Sequence, residues 1–215
     1  MSAAEKSEKR RFGRYFVYDF IKLTAAPGWL WFRPKIVYAS EAARERIRGG
    51  ALLIANHIGF FDPVYLHFAV WYRRLHFVCL EEFFKGRSRR FFEACQCIPI
   101  NKNNPGVDSL REITAHLRAG ELVCMFPEGQ VNGSAEEMGA FKSGMVLMAM
   151  RGRAPIVPVY IKRREHWYQR LVMVIGERVD VAALCSSKRG VAGIEAAAAS
   201  LRDKEEQLKT ISEDN

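Results

Sequence analysis

The sequence predicts an α/β domain, a mostly parallel central sheet flanked by helices, with an amphipathic helical segment at its N-terminus. Three observations carry this. Short apolar runs without polar alternation recur from residue 36 onward, as in ALLIAN at 51–56, and such strands are buried on both faces by helices. Helical stretches separate one run from the next, the pattern of a parallel sheet. Finally, 215 residues of which 49% are hydrophobic fit one domain with a sizeable core and exclude a disordered chain.

The elements follow in order. IVYAS (36–40) reads as a strand and EAARERIR (41–48) as a helix closed by Gly49-Gly50. ALLIAN is the next strand, followed by a helix over DPVYLHFAVWYRR (62–74), in which Asp62 is the N-cap and Pro63 the first helical residue. HFVCL (76–80) is a strand, EEFFKGRSRRFFEAC (81–95) a basic, aromatic helical region, and CIPI (97–100) a strand. VDSLREITAHLRAG (107–120) is an amphipathic helix and ELVCMF (121–126) a strand. KSGMVLMAMRG (142–152) is helical, APIVPVYI (154–161) and LVMVIG (171–176) are strands, and a helix from Gly193 to Ile211 closes the chain.

Ahead of this domain (36–215), residues 1–35 form a segment of their own. Its first residues, MSAAEKSEKRRFGR, are charged and lack the apolar core of a signal peptide. Residues 14–34 interleave aromatics (Tyr15, Phe16, Tyr18, Phe20, Trp29, Trp31, Phe32) with basic groups. Asp19 and Lys22 interrupt the stretch and Pro27-Gly28 breaks it, so it is too short to span a bilayer. Rings at headgroup level with Lys and Arg toward lipid phosphates describe an interfacial segment, which implies a peripheral or monotopic protein on the cytoplasmic face of a membrane. The competing reading is a helix that packs its aromatics on the domain.

The net charge of +9 points to an anionic partner: nucleic acid, an anionic membrane surface or a phosphorylated substrate. Dispersed basic residues and the lack of a nucleic-acid motif speak against the first. Five cysteines (Cys79, Cys95, Cys97, Cys124, Cys185) have no paired C-x-x-C spacing; the reading is a reducing compartment and no metal site.

In open parallel sheets ligands bind beyond the carboxyl ends of the strands. The polar residues there are His57 after ALLIAN, Asn101-Lys102 after CIPI, and Pro127-Glu128-Gly129 after ELVCMF. A lone histidine in apolar company is often a core residue, and an aspartate before proline is often only a cap. The short loop from His57 to Asp62, however, allows the carboxylate to fold back on the imidazole, setting its tautomer as a proton-abstracting base requires.

Together these residues resemble the glycerolipid acyltransferase family, which contains the 1-acyl-glycerol-3-phosphate acyltransferases. Asn56-His57 through Asp62-Pro63 resembles its N-H-x-x-x-x-D-P block, and Phe126-Pro127-Glu128-Gly129 its F-P-E-G block. Phe141-Lys142-x-Gly144, then Ala154-Pro155-Ile156-Val157-Pro158-Val159, and Gly176-Glu177 follow in the family's order. The resemblance implies direct transfer of a fatty acyl group from acyl-CoA or acyl-carrier protein to the hydroxyl of a lysolipid, without further cofactor. His57 and Asp62 would be the catalytic pair, and Asn101, Lys102, Phe126, Pro127, Glu128 and Gly129 would bind substrate. The oxyanion donors would come from the loop at 58–61 or from the FPEG turn. No G-x-S-x-G elbow is present and Cys124 lies within an apolar strand, so no acyl-enzyme is expected.

Lysophosphatidic acid is the first choice of acceptor. Lys102 stands where the family usually has arginine, Gln130-Val131-Asn132 where it continues threonine-arginine-serine, and Leu80 near a common lysine position. These departures make a lysolipid with another head group, such as lyso-ornithine lipid, the alternative acceptor. A non-enzymatic membrane-binding module would leave the motif blocks unexplained. A metal hydrolase using His57, Asp62 and Glu128 would have a thin ligand set, with His67 and His116 read as structural.

Overall fold

The computed structural model describes residues 15–101, 106–129, 139, 141–185 and 190–214. Its strands are β1 (Lys35–Tyr38), β2 (Ala51–Ala55), β3 (Leu75–Leu80), β4 (Ile98–Ile100), β5 (Leu122–Met125), β6 (Ile156–Ile161) and β7 (Val172–Ile175). They form one sheet in the order β1-β7-β6-β2-β5-β3-β4. From β6 to β4 every pairing is parallel, whereas β7 runs antiparallel to β6 and carries β1 with it. The mostly parallel α/β architecture is thus as expected. The direction reverses only where β6 and β7 are joined without an intervening helix, a connection that favours antiparallel pairing.

The helices are α1 (15–25), α2 (Gly28–Phe32), α3 (Asp62–Ala69), α4 (Ser88–Ala94), α5 (Val107–Arg118), α6 (Gly144–Gly152), α7 (Val181–Cys185) and α8 (Val191–Glu213). Alternation along β2 divides the core. Leu53 packs with Tyr65, Leu66 and Phe68 of α3 on one face, and Leu52 and Ile54 pack with Ile113, Met145 and Leu201 of α5, α6 and α8 on the other. That two-sided burial is why β2, β5, β6 and β7 contain apolar residues throughout.

Three expected helices are shorter than their patterns suggest. The 41–48 stretch makes only a 3₁₀ turn, Ala42–Arg44, before Glu45 turns extended. The Ile47 N–H donates to the Tyr72 hydroxyl at 2.9 Å and its carbonyl accepts from Arg73 at 3.0 Å, so partners distant in sequence replace the helical ones. α3 stops at Ala69, and Lys22 donates to the carbonyls of Trp71 and Arg73 beyond it. In 81–95, Gly86 at φ +64 separates a 3₁₀ turn (Glu81–Phe84) from α4. At Gly50 a Cβ would stand 1.9 Å from the Leu117 carbonyl oxygen, so only glycine lets this turn pass the end of α5.

α1 is fastened to the domain. The buried Tyr18 hydroxyl lies 2.7 Å from His67 Nε2 and accepts the Leu75 N–H at 2.7 Å, and Arg74 grips Asp19 with two hydrogen bonds. Phe16, Phe20, Leu23, Leu30 and Trp31 remain exposed. Among the described residues no helix is long and apolar enough to cross a membrane. The charged residues 1–14 lie outside the described part.

Candidate active site

His57 follows the carboxyl end of β2, where the sheet opens. Its Nδ1 lies 2.6 Å from Asp62 Oδ2. The same oxygen accepts the N–H groups of Ile58 at 2.7 Å and Gly59 at 2.9 Å. Asp62 is fully buried while 20% of the His57 side chain is exposed. A carboxylate that accepts two backbone N–H groups stays an acceptor, so Nδ1 carries a proton toward it and Nε2 keeps its lone pair.

Local structure makes this pair. Phe61, not Asp62, is the N-cap of α3; Asp62 is its first residue and makes room for Pro63 in the first turn. The carboxylate therefore turns away from its own helix and caps the loop that precedes it. Of the N–H groups in the loop at 58–61, those of Ile58 and Gly59 are directed to Asp62.

The FPEG turn reaches His57 through the β2–β5 pairing, whose register sets Ile54 beside Met125. Phe126 stacks on the imidazole with ring centroids 4.1 Å apart and planes 14° from parallel. Glu128 is buried, with Oε1 accepting the His57 N–H at 3.4 Å and Oε2 the Gly139 N–H at 3.3 Å. Pro127 accepts the Lys142 N–H at 3.2 Å. Gly129 has φ +66, a conformation that favours glycine, and the Lys142 side chain lies across it, with Nζ 3.3 Å from where a Cβ would stand. Lys142, noted in the sequence only as part of a motif, is thus a cation beside this turn.

Asn56 clamps the neighbouring strand. Its Nδ2 donates to the Ile161 carbonyl at 3.0 Å and its Oδ1 accepts the Ile161 N–H at 2.7 Å. Beneath it, Glu205 of α8 is fully buried, and neither carboxyl oxygen has a hydrogen-bond partner among the described residues. Burial first, then the charge of Glu128, pushes its carboxyl well above the usual carboxylate range.

The other sequence candidates stand apart. Asn101 follows β4, two strands beyond β5, and donates to Glu81 Oε2 at 3.4 Å. It shares the carboxyl edge of the sheet but not the contacts of His57. Lys102 lies outside the described residues. Cys124 is fully buried, and burial raises its thiol well above the usual range, which leaves it inert as a nucleophile.

Chemically, the arrangement offers a partly exposed imidazole, held in one tautomer by a buried carboxylate and in one plane by Phe126. Such a group takes a proton from a hydroxyl placed at Nε2.

The chain resembles known proteins in the same region. Residues 36–162 match the Acyltransferase family, more than half of the chain. The 1-acyl-sn-glycerol-3-phosphate acyltransferase of Bacillus subtilis (strain 168) is 26% identical over 168 residues, covering 74% of this chain and 83% of the relative. That of Streptococcus pneumoniae (strain ATCC BAA-255 / R6) is 27% identical over 110 residues, 50% of this chain and 40% of the relative. The crystal structure of the 1-acyl-sn-glycerophosphate (LPA) acyltransferase PlsC from Thermotoga maritima superposes with a TM-score of 0.64 at 18% identity, covering 94% of this chain and 82% of that one, and so shares the fold. With the family match spanning β1 to the end of β6 and including both His57 and Glu128, the chain belongs to the Acyltransferase family and is an acyltransferase enzyme.

Proposed function

We propose that this enzyme transfers a fatty acyl group from a thioester donor, acyl-CoA or acyl-carrier protein, to the hydroxyl of 1-acyl-glycerol-3-phosphate. The observation that carries the proposal is the His57–Asp62 pair at 2.6 Å on the open edge of the sheet. His57 Nε2 removes the hydroxyl proton as the oxygen bonds to the thioester carbonyl carbon. The carbon–sulfur bond then breaks, and the proton passes from His57 to the departing thiolate. Asp62 holds the Nδ1–H tautomer and stabilises the imidazolium that forms transiently. Glu128 positions the His57 backbone, and Gly129, Phe126 and Pro127 shape the acceptor side. The reaction needs no cofactor beyond the thioester.

For the acceptor, Lys102 and Lys142 are the cations proposed to meet a phosphate monoester, which carries nearly two negative charges. The second reading, a lysolipid such as lyso-ornithine lipid, is favoured by the departures at Lys102, Val131 and Leu80. A membrane-surface role for the N-terminal helices fits the exposed apolar side chains around them. Trp31 stacks on Trp167 at 5.8 Å, and Phe60, Phe61 and Tyr168 are exposed as well.

The test is incubation with acyl-CoA or acyl-carrier protein donors and a panel of lysolipids, followed by competition between lysophosphatidic acid and lyso-ornithine lipid at equal concentration. Preference for lysophosphatidic acid, reduced by Lys102→Ala or Lys142→Ala, is expected. Preference for lyso-ornithine lipid, indifferent to both lysines, would transfer the assignment to the second acceptor.

A further inference from the structure

At the amino ends of the strands, opposite the His57 edge, the fold gathers three side chains far apart in any ligand motif. His76 is the second residue of β3, His116 lies in the last turns of α5, and Glu121 directly precedes β5. We propose that His76, His116 and Glu121 bind one divalent transition-metal ion, of which zinc fits best, as a structural site.

The geometry suits a small N,N,O ligand set. One donor atom from each residue lies within 4.8 Å of the others. Glu121 Oε2 is 2.5 Å from His116 Nδ1 and 3.6 Å from His76 Nε2. A tetrahedral ion with bonds of about 2.0–2.1 Å holds its ligands about 3.4 Å apart, so side-chain shifts of about 1 Å admit it. Imidazole nitrogen with one carboxylate oxygen is a donor set for zinc, whereas magnesium and calcium select oxygen throughout. Water supplies the fourth ligand on the side where Glu121 is 27% exposed.

Supporting hydrogen bonds are already in place. His76 Nδ1–H donates to the Gln96 carbonyl at 3.2 Å, which leaves the ring's lone pair on Nε2, the nitrogen that faces Glu121. The Tyr15 hydroxyl donates to Glu121 Oε1 at 3.3 Å, leaving Oε2 for the ion. These are the outer partners that orient metal ligands. The two imidazole rings lie 4.4 Å apart and His76 is only 2% exposed. A shared cation satisfies both rings and the carboxylate at once. Tyr15 belongs to α1, so the ion would pin that helix to the α5–β5 turn and the start of β3. The site is separate from the acyl-transfer pair and does not rest on the acceptor assignment.

The experiment uses untagged full-length protein, stripped with a chelator, titrated with zinc alone, and assayed for bound metal after gel filtration. One equivalent per chain at micromolar free zinc is expected, with a melting temperature that rises on loading. Cobalt in place of zinc should show the visible absorption of a tetrahedral site. Because His76 is too buried for a clean variant, the test rests on His116→Gln and Glu121→Gln, each expected to weaken zinc binding by at least about a hundredfold. Tyr15→Phe should weaken it by about tenfold, within the usual range for an outer partner. His57→Ala should keep the metal. Folded wild-type protein that retains no zinc, variants at 116 and 121 that bind it as wild type does, or loss of zinc in His57→Ala would each overturn the site. The first outcome would leave a proton as what His116 and Glu121 share.

Discussion

Asp62 Oδ2 stands 2.6 Å from His57 Nδ1 while also accepting the Ile58 and Gly59 N–H groups. One buried oxygen thereby sets both the imidazole and the loop that carries it. Replacing the ring alone leaves that loop intact. His57→Ala should lower acyl transfer by about 10²–10⁴-fold, the usual contribution of a positioned base. Its circular dichroism and melting temperature should stay close to wild type. Near-normal turnover in a folded His57→Ala protein would remove the base from the mechanism.

Asp62→Asn should do more damage to folding. An amide that keeps its oxygen on the loop N–H groups still meets His57 Nδ1 with that oxygen, but it lacks the negative charge that stabilises the imidazolium, and its NH₂ takes the buried Oδ1 position, which has no hydrogen-bond partner among the described residues. Activity should fall about as far as in His57→Ala. Loss of the charged acceptor should also cost about 1–3 kcal/mol, read from the urea midpoint. Full activity would show that the carboxylate charge is not needed to stabilise the imidazolium.

Asn56→Ala should destabilise the site from beneath. Its two hydrogen bonds hold β2 to β6 just where β2 ends. Truncation leaves the Ile161 N–H and carbonyl buried without that partner, at about 1–3 kcal/mol for each group left unsatisfied. A lower melting temperature with a smaller fractional loss of turnover per folded molecule is expected. Unchanged stability would mean that Ile161 finds other partners.

His67 makes stability depend on pH. Burial, and secondarily the Lys22 charge, hold its pKa below the ordinary 6.5, against a hydrogen bond to the Pro63 carbonyl that raises it. With Nδ1–H donated to Pro63 at 2.6 Å, Nε2 accepts the Tyr18 hydroxyl at 2.7 Å and must stay neutral. The folded state therefore binds fewer protons than the unfolded state. The associated stability is present above about pH 6.5 and is lost as pH falls through the lower folded value. Urea midpoints of wild type should drop below pH 6.5 more steeply than those of His67→Gln, which keeps a donor and an acceptor without the titration. Parallel pH profiles would clear His67 of this role.

Membrane association should depend on the exposed rings rather than on the N-terminus as a whole. Deleting residues 1–34 would also remove Tyr18, which anchors core contacts to His67 and Leu75. Combined Leu30→Ser, Trp31→Ser and Trp167→Ser leaves those contacts in place. It should cut sedimentation with anionic vesicles by at least about tenfold, since each buried apolar side chain contributes on the order of 1.5–3 kcal/mol. Undiminished sedimentation would put the contact elsewhere, for instance at Arg87, Arg89 and Arg90.

Local pattern gave most of the order of strands and helices and the break at Pro27-Gly28, and it allowed the pairing of His57 with Asp62. These depend on neighbours in the chain: apolar runs record which faces are buried, and a four-residue loop keeps His57 and Asp62 within reach of each other. Tertiary structure decided the rest. EAARERIR has the composition of a helix, yet Tyr72 and Arg73 take its backbone groups and leave a single 3₁₀ turn. Phe126 and Glu128 reach His57 because β2 pairs with β5, and Asn101 stays apart because β3 and β5 separate β4 from β2. The reversal at β7, the lysine across Gly129, and the meeting of His76, His116 and Glu121 likewise arise from strand order and helix docking. Periodicity reports that a residue is buried, but what it is buried against is chosen by the packing of segments distant in sequence.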